Sequence, residues 1–164
     1  MNLYSMTEFI TRAKTKIGFS IAKVLQPYLS RTPVVWGDPS RLITGEGVVL
    51  VNAVLNLRSG KIKIGDYSFM GHGVMLLTGL HDIRKTGIHR QTTVRDLGRD
   101  ITIGSGVWIA SGAIVIGPCE IGDNAVISSG CVITKSVPSD TLCVNNADGA
   151  ITMVKIDYDK LGKG

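Results

Sequence analysis

The chain has 164 residues, 44% of them apolar and 19% charged, with a net charge of +5. That is one domain's worth of sequence, apolar enough to bury a core and unlike a disordered chain. No run of about twenty apolar residues is present, so no segment is expected to span a bilayer. The basic excess comes without a nucleic-acid-binding motif or a set of aromatics for base stacking, so no nucleic-acid partner is expected.

Residues 1–30 place Phe9, Ala13, Ile17, Ile21, Val24 and Tyr28 at helical spacing, with Arg12, Lys14, Lys16 and Lys23 mostly elsewhere around the helix. Thr7 and Glu8 suit a helix start and Pro27 limits the end. One amphipathic helix or two short ones are expected. The segment either packs on the rest of the protein or a neighbouring subunit, or makes peripheral contact with an anionic membrane. It lacks the apolar stretch and cleavage site of a secretory signal, so a cytoplasmic location is expected, extending to the inner face of the membrane if this segment binds lipid.

Residues 31 to 58 contain Pro33, Pro39 and the run Val48-Val49-Leu50-Val51, and read as imperfect early turns of the repeat that follows. A six-residue rhythm sets in with Ile62, as Ile64-Gly65-Asp66-Tyr67-Ser68-Phe69 and then Met70-Gly71-His72-Gly73-Val74-Met75. It breaks between about Thr78 and Asp100, a polar and basic stretch holding His81 and His89. It then returns with full regularity: Ile103, Ile109, Val115, Ile121, Ile127 and Ile133 recur six apart. Four residues after each stands a smaller apolar one, Val107, Ala113, Cys119, Ala125, Cys131 and Val137.

Positions six apart scatter around a helix, and a flat hairpin sheet needs no turn signal in every sextet. A three-sided coil of about eighteen residues per revolution satisfies both the aliphatics and the turn formers. Ile103 then stacks on Ile121, Ile109 on Ile127 and Val115 on Ile133. The fold expected is an all-β solenoid, a parallel β-helix over 31–143 with an inserted loop at about 78–100. A closing segment over 144–164 should pack through Ile151, Met153, Val154 and Ile156. Cys119, Cys131 and Cys143 take small inward positions in steps of twelve, on different faces, which disfavours a disulfide and fits reduced thiols in the cytosol.

The stretch from Ile62 to Val137 resembles the hexapeptide-repeat acyltransferases, and the left hand of the β-helix is what that resemblance implies. Thr78-Gly79-Leu80-His81 followed by Ile101-Thr102-Ile103-Gly104 and Val107-Trp108-Ile109 is similar to galactoside and maltose acetyltransferases. So is Ile121-Gly122-Asp123-Asn124-Ala125-Val126-Ile127 followed by Val132-Ile133-Thr134-Lys135-Ser136-Val137-Pro138. Thr-Gly-Leu-His-Asp, with the helix-like N-terminal segment, looks closer to enzymes that O-acetylate bacterial surface polysaccharides.

The resemblance implies a homotrimer that moves acetyl from acetyl-CoA to a sugar hydroxyl, in a cleft between subunits, without a covalent enzyme intermediate. His81 is the expected general base, because the hydroxyl proton must leave near neutral pH during attack. Adjacent Asp82 is the candidate to orient its ring. Trp108, Ser111, Ser129, Thr134 and Lys135 match the family's coenzyme contacts; Ser129 and Ala110 depart from its common alanine and glycine. Asn52, Asn56 and His89 are the candidates for acceptor binding, while His72 sits inside a repeat and reads as structural. No metal is expected. Within this chemistry the competing acceptors are small molecules: serine, a simple sugar or an antibiotic. Outside it stand a metalloenzyme of the γ-carbonic anhydrase type, whose histidine spacing differs from that of His72, His81 and His89, and a non-catalytic solenoid.

Overall fold

The computed structural model describes residues 20–21, 32–94 and 97–161. The expected N-terminal helical segment lies outside them except for Ser20 and Ile21, which are helical. The residues from Pro33 onward form one compact unit, the solenoid.

Its strands, numbered in chain order, fall into three sheets that the chain visits in turn. Face A holds β1 (Val34–Trp36), β3 (Val54–Asn56), β6 (Met75–Leu77), β9 (Ile114–Ile116) and β12 (Val132–Ile133). Face B holds β2 (Leu42–Thr44), β4 (Ile62–Ile64), β7 (Ile101–Ile103) and β10 (Cys119–Ile121). Face C holds β5 (Phe69–Met70), β8 (Trp108–Ile109), β11 (Val126–Ile127) and β13 (Thr141–Asn145). These neighbours all pair in parallel, and β14 (Ile151–Lys155) closes face C by pairing antiparallel with β13.

The expected stacking is met in register: Ile103 opposite Ile121, Ile109 opposite Ile127, Val115 opposite Ile133. All twelve repeat positions, the six large and the six small, are buried. Each aliphatic fills the axis by resting on the rung below, and burying one such side chain contributes about 1.5–3 kcal/mol. The stack starts earlier than the rhythm at Ile62, since β1 already pairs with β3 and β2 with β4. Those partners are twenty residues apart, Val34 with Val54 and Leu42 with Ile62, so the extra residues sit in the corners. At the other end β13 runs through the expected boundary at 143, and Ile151 packs against the core while Met153 and Val154 remain exposed.

The corners are tied vertically. Asp66 accepts from the Glu46 backbone N–H (2.8 Å) and Asp123 from that of Ser105 (2.7 Å), each carboxylate satisfying a donor one rung below. Such close stacking explains Gly104: a Cβ there would meet Asp123 Oδ1 and stand 2.7 Å from the Asp123 backbone nitrogen, which cannot give way as a side chain can.

Partners flanking the loop are 39 residues apart, Ile62 with Ile101 and Met75 with Ile114, where the next rungs repeat every eighteen and the last step, Ile127 to Cys143, is sixteen. The insertion leaves the stack at the corner between faces A and B. The outer surfaces of the prism also differ. Face A shows Val34, Trp36, Met75 and Val132 to solvent, and face C shows Val49, Phe69, Trp108 and Val154. Face B shows Ile43, Lys63, Thr102 and Glu120, a mostly polar column.

Candidate active site

The loop is fastened at its base by polar groups. Thr78, fully buried, donates its hydroxyl proton to the Asn56 carbonyl (2.6 Å) and accepts from the Ser59 N–H (3.1 Å). Arg99 returns at the far end and donates through Nε to the Thr78 carbonyl (2.9 Å). Beyond this clasp the chain forms a small hairpin. His81 bridges Val94 in antiparallel fashion, and the Asp82 N–H donates to the Thr93 carbonyl (3.2 Å). A six-residue helix, Gly87–Thr92, occupies the turn.

His81 is exposed, and its Nδ1 lies 2.9 Å from the backbone carbonyl of Arg90. A carbonyl only accepts, so Nδ1 carries the proton in the neutral ring and Nε2 keeps a free lone pair. That is the state a general base requires. Asp82 makes no hydrogen bond to this ring. Its carboxylate is forked by Arg84, Nε to Oδ1 and Nη2 to Oδ2 at 2.9 Å each, and accepts the Arg84 N–H at 3.0 Å. The Arg84 hydrogen bonds pull the carboxyl pKa down to about 2 against a smaller opposing effect of burial. The orienting contact expected from Asp82 is therefore made by the Arg90 backbone, and Asp82 shapes the turn.

The remaining candidates divide between two edges of the prism. Asn56 lies beneath Gly79 at the loop's root, its Oδ1 accepting from the Arg58 N–H (3.0 Å). His89 is exposed on the short helix. Thr134 and Lys135 lie at the same A–B corner two rungs on, about 10 Å along the axis. There they line a recess of 470 Å³ with Ala150, Ile151 and Met153. A second recess of 290 Å³ is lined by Leu80, His81, Asp82, Ile83 and Arg84. A larger one, 630 Å³, lies at Asp140 and residues 155–160 and holds none of the candidates.

The other group occupies face C and the C–A corner. Trp108 is 45% exposed on the outside of face C, stacked on Phe69 with ring centroids 5.9 Å apart. Ser111 accepts from the His72 N–H (3.1 Å), so both belong to one corner ladder. Exposed Ser129 stands one rung above, its carbonyl accepting from Asn145 (3.3 Å). Asn52 also serves a corner, its Oδ1 accepting from the Gly73 N–H (2.8 Å), and is placed away from Asn56 and the loop. The chain thus carries His81, Asn56, His89, Thr134 and Lys135 on one edge, and Trp108, Ser111 and Ser129 on another.

The residues that sequence reasoning missed are Arg84, Arg90, Thr78 and Phe69. The spacing of Asp82 and Arg84 offered a signal for the fork. Arg90 offered none, since its role runs through a backbone carbonyl. The cysteines are free and buried. Burial pushes the Cys119 and Cys143 thiols up to about 11, so they are poor nucleophiles. Among the described residues, no three His, Cys, Asp or Glu side chains converge as metal ligands, and no helix is long and apolar enough to cross a membrane.

Residues 100–135 match the family model described as bacterial transferase hexapeptide (six repeats). The provisionally named acetyltransferase C18B11.09c of Schizosaccharomyces pombe is 36% identical over 89 residues, 52% of this chain and 40% of that protein. The chain spans well under two thirds of the length of the curated relatives it matches. Among solved structures, the maltose O-acetyltransferase of Clostridium difficile 630 aligns with a TM-score of 0.58 at 28% identity, over 78% of this chain and 68% of that one. A galactoside acetyltransferase in complex with coenzyme A shares the fold, with a TM-score of 0.67 at 24% identity, over 79% and 62% of the two chains. By its repeat and its three-sided rungs, the chain is a left-handed β-helix of the hexapeptide-repeat kind, the architecture of the acetyltransferases it resembles.

Proposed function

We propose that this protein is a CoA-dependent O-acetyltransferase that moves acetyl from acetyl-CoA to a sugar hydroxyl, in the making of a surface polysaccharide. The observation that carries the reading is the His81 ring, exposed beside a recess, with Nδ1 committed to the Arg90 carbonyl and Nε2 free. In the reaction Nε2 takes the acceptor's hydroxyl proton as the oxygen attacks the thioester carbonyl. The new C–O bond forms, the C–S bond breaks, and the departing CoA thiolate receives the proton back from the imidazolium. No protein nucleophile takes part, in keeping with the buried, protonated cysteines.

The coenzyme lies along the groove that Thr134 and Lys135 enter, its phosphates drawn to the lysine, with Ser111, Ser129 and Trp108 contributed by a neighbour. Such sharing requires a homotrimer. The apolar outer columns of faces A and C, beside the polar column of face B, support an A-against-C contact that closes a ring when repeated three times. The reading places the work in the cytoplasm, at the inner face of the membrane if residues 1–30 bind lipid. The sugar acceptor is supported by the likeness to the maltose enzyme at 28% identity.

The test is to incubate the purified protein with acetyl-CoA and a panel of acceptors: lipid-linked and polymeric glycans, simple sugars, serine and aminocyclitol or amphenicol antibiotics. Thiol release with one acetyl added to a glycan hydroxyl is expected. Thiol release confined to serine or an antibiotic would refute the glycan acceptor, and none with any hydroxyl would refute the activity.

A further inference from the structure

The catalytic reading leaves open what holds the imidazole in its reactive tautomer, and the loop supplies an answer outside the candidate set. Arg90 meets the rest of the loop twice. Its backbone carbonyl accepts from His81 Nδ1 at 2.9 Å, while its guanidinium reaches back across the turn. There Nε donates to the Lys85 carbonyl at 2.7 Å and Nη2 to the Ile83 carbonyl at 3.4 Å. One residue thereby joins the strand leaving His81 to the short helix that returns toward it.

The joint is needed because, apart from the pairing of Thr93 and Val94 with Asp82 and His81 just past its end, little fixes that helix. Gly87–Thr92 buries none of its residues, and its N-terminal Thr86 makes no side-chain capping bond. Isolated helices of this length do not persist in water. The backbone bond from Arg90 to the Thr86 carbonyl is long, at 3.3 Å. Ile83 and Ile88 project into solvent and add no packing. Were the helix to drift, the Arg90 carbonyl would leave Nδ1, and the proton would be free to move to Nε2, which then could not accept from a hydroxyl.

We propose that Arg90 is a positioning residue that sets the His81 tautomer, with its guanidinium as a staple between the Ile83 and Lys85 carbonyls and its own carbonyl as the acceptor for Nδ1–H. It touches neither substrate nor reacting atoms. The proposal rests on His81 being the base, yet its primary readout does not depend on turnover.

Long-range 1H–15N spectra of the neutral imidazoles test it, with the His81 signals identified by their loss in His81→Ala. In the wild type His81 is expected to carry its proton on Nδ1. In Arg90→Ala the proton is expected to shift largely to Nε2, with kcat falling roughly 10- to 100-fold and KM for acetyl-CoA unchanged. Arg90→Lys keeps one donor for the Lys85 carbonyl and is expected to lie between the two; it also serves if the alanine variant fails to fold. A wild-type His81 protonated on Nε2, or an Nδ1–H tautomer that survives Arg90→Ala, would overturn the proposal while leaving the acetyltransferase reading intact. Full turnover by His81→Ala would overturn that reading instead, and leave the tautomer result standing.

Discussion

Replacing His81 with alanine is expected to lower kcat for acetyl transfer by roughly 10²- to 10⁴-fold, the range over which a positioned base acts. Affinity for acetyl-CoA should be kept, because the contacts proposed for the coenzyme lie two rungs away at Thr134 and Lys135 and on another edge. The fold should be kept as well: the His81 side chain is exposed, and its one hydrogen bond is to a backbone carbonyl. Asparagine at the same position preserves a donor toward Arg90 without supplying a base, and should be as inactive as alanine. Steady-state kinetics on the best acceptor from the panel, with coenzyme binding measured separately, make the check. Activity within a few-fold of wild type would remove His81 from the mechanism.

Ile103→Ala tests the solenoid itself. Ile103 is held between Ile64 on the rung before and Ile121 on the rung after, with 1% of its surface exposed. Truncation leaves a cavity that both neighbours line, and a loss of about 2–5 kcal/mol is expected. Against a total stability of about 5–15 kcal/mol, that is a large fraction. Thr102, one position earlier on β7, faces solvent, so Thr102→Ala should change stability by less than about 0.5 kcal/mol. Urea unfolding of the two variants compares the two sides of one strand. Equal costs would mean that the strand does not alternate between core and solvent.

The rungs from Ile101 to Ile133 were legible because the corners there are short and the spacing stays at six. The first two rungs were not. Twenty-residue steps hide extra corner residues at Asp38–Arg41 and Arg58–Lys61, which break a six-residue count while leaving the strands paired. The final strand escaped for another reason. Leu142 and Cys143 keep the outward–inward alternation, but β13 runs to five residues because β14 folds back on it, a pairing that no sextet encodes. In the site, the residue types that carry chemistry stood out: a histidine in a loop that interrupts a repeat is conspicuous. The partners that tune it did not. Asp82 looked like the orienting acid because it is adjacent, but neighbouring residues on a hairpin strand point apart, and Arg84 claims its carboxylate. The contact that orients His81 comes from a carbonyl nine residues away.

The division of the candidates between two edges of one chain is the feature on which the proposed sharing of the site between subunits depends, and mixing two inactive variants tests it directly. His81→Ala disables the edge that carries the loop. Ser129→Trp places a bulky ring on the other edge, at an exposed side chain whose hydroxyl makes no hydrogen bond in the rungs. Each variant alone is expected to be inactive. Unfolded and refolded together in equal amounts, they should recover about a quarter of wild-type activity, since random trimers place two intact halves at about one interface in four. Activity that stays at the level of the separate variants, with mixed trimers shown to form, would contradict a site shared between subunits.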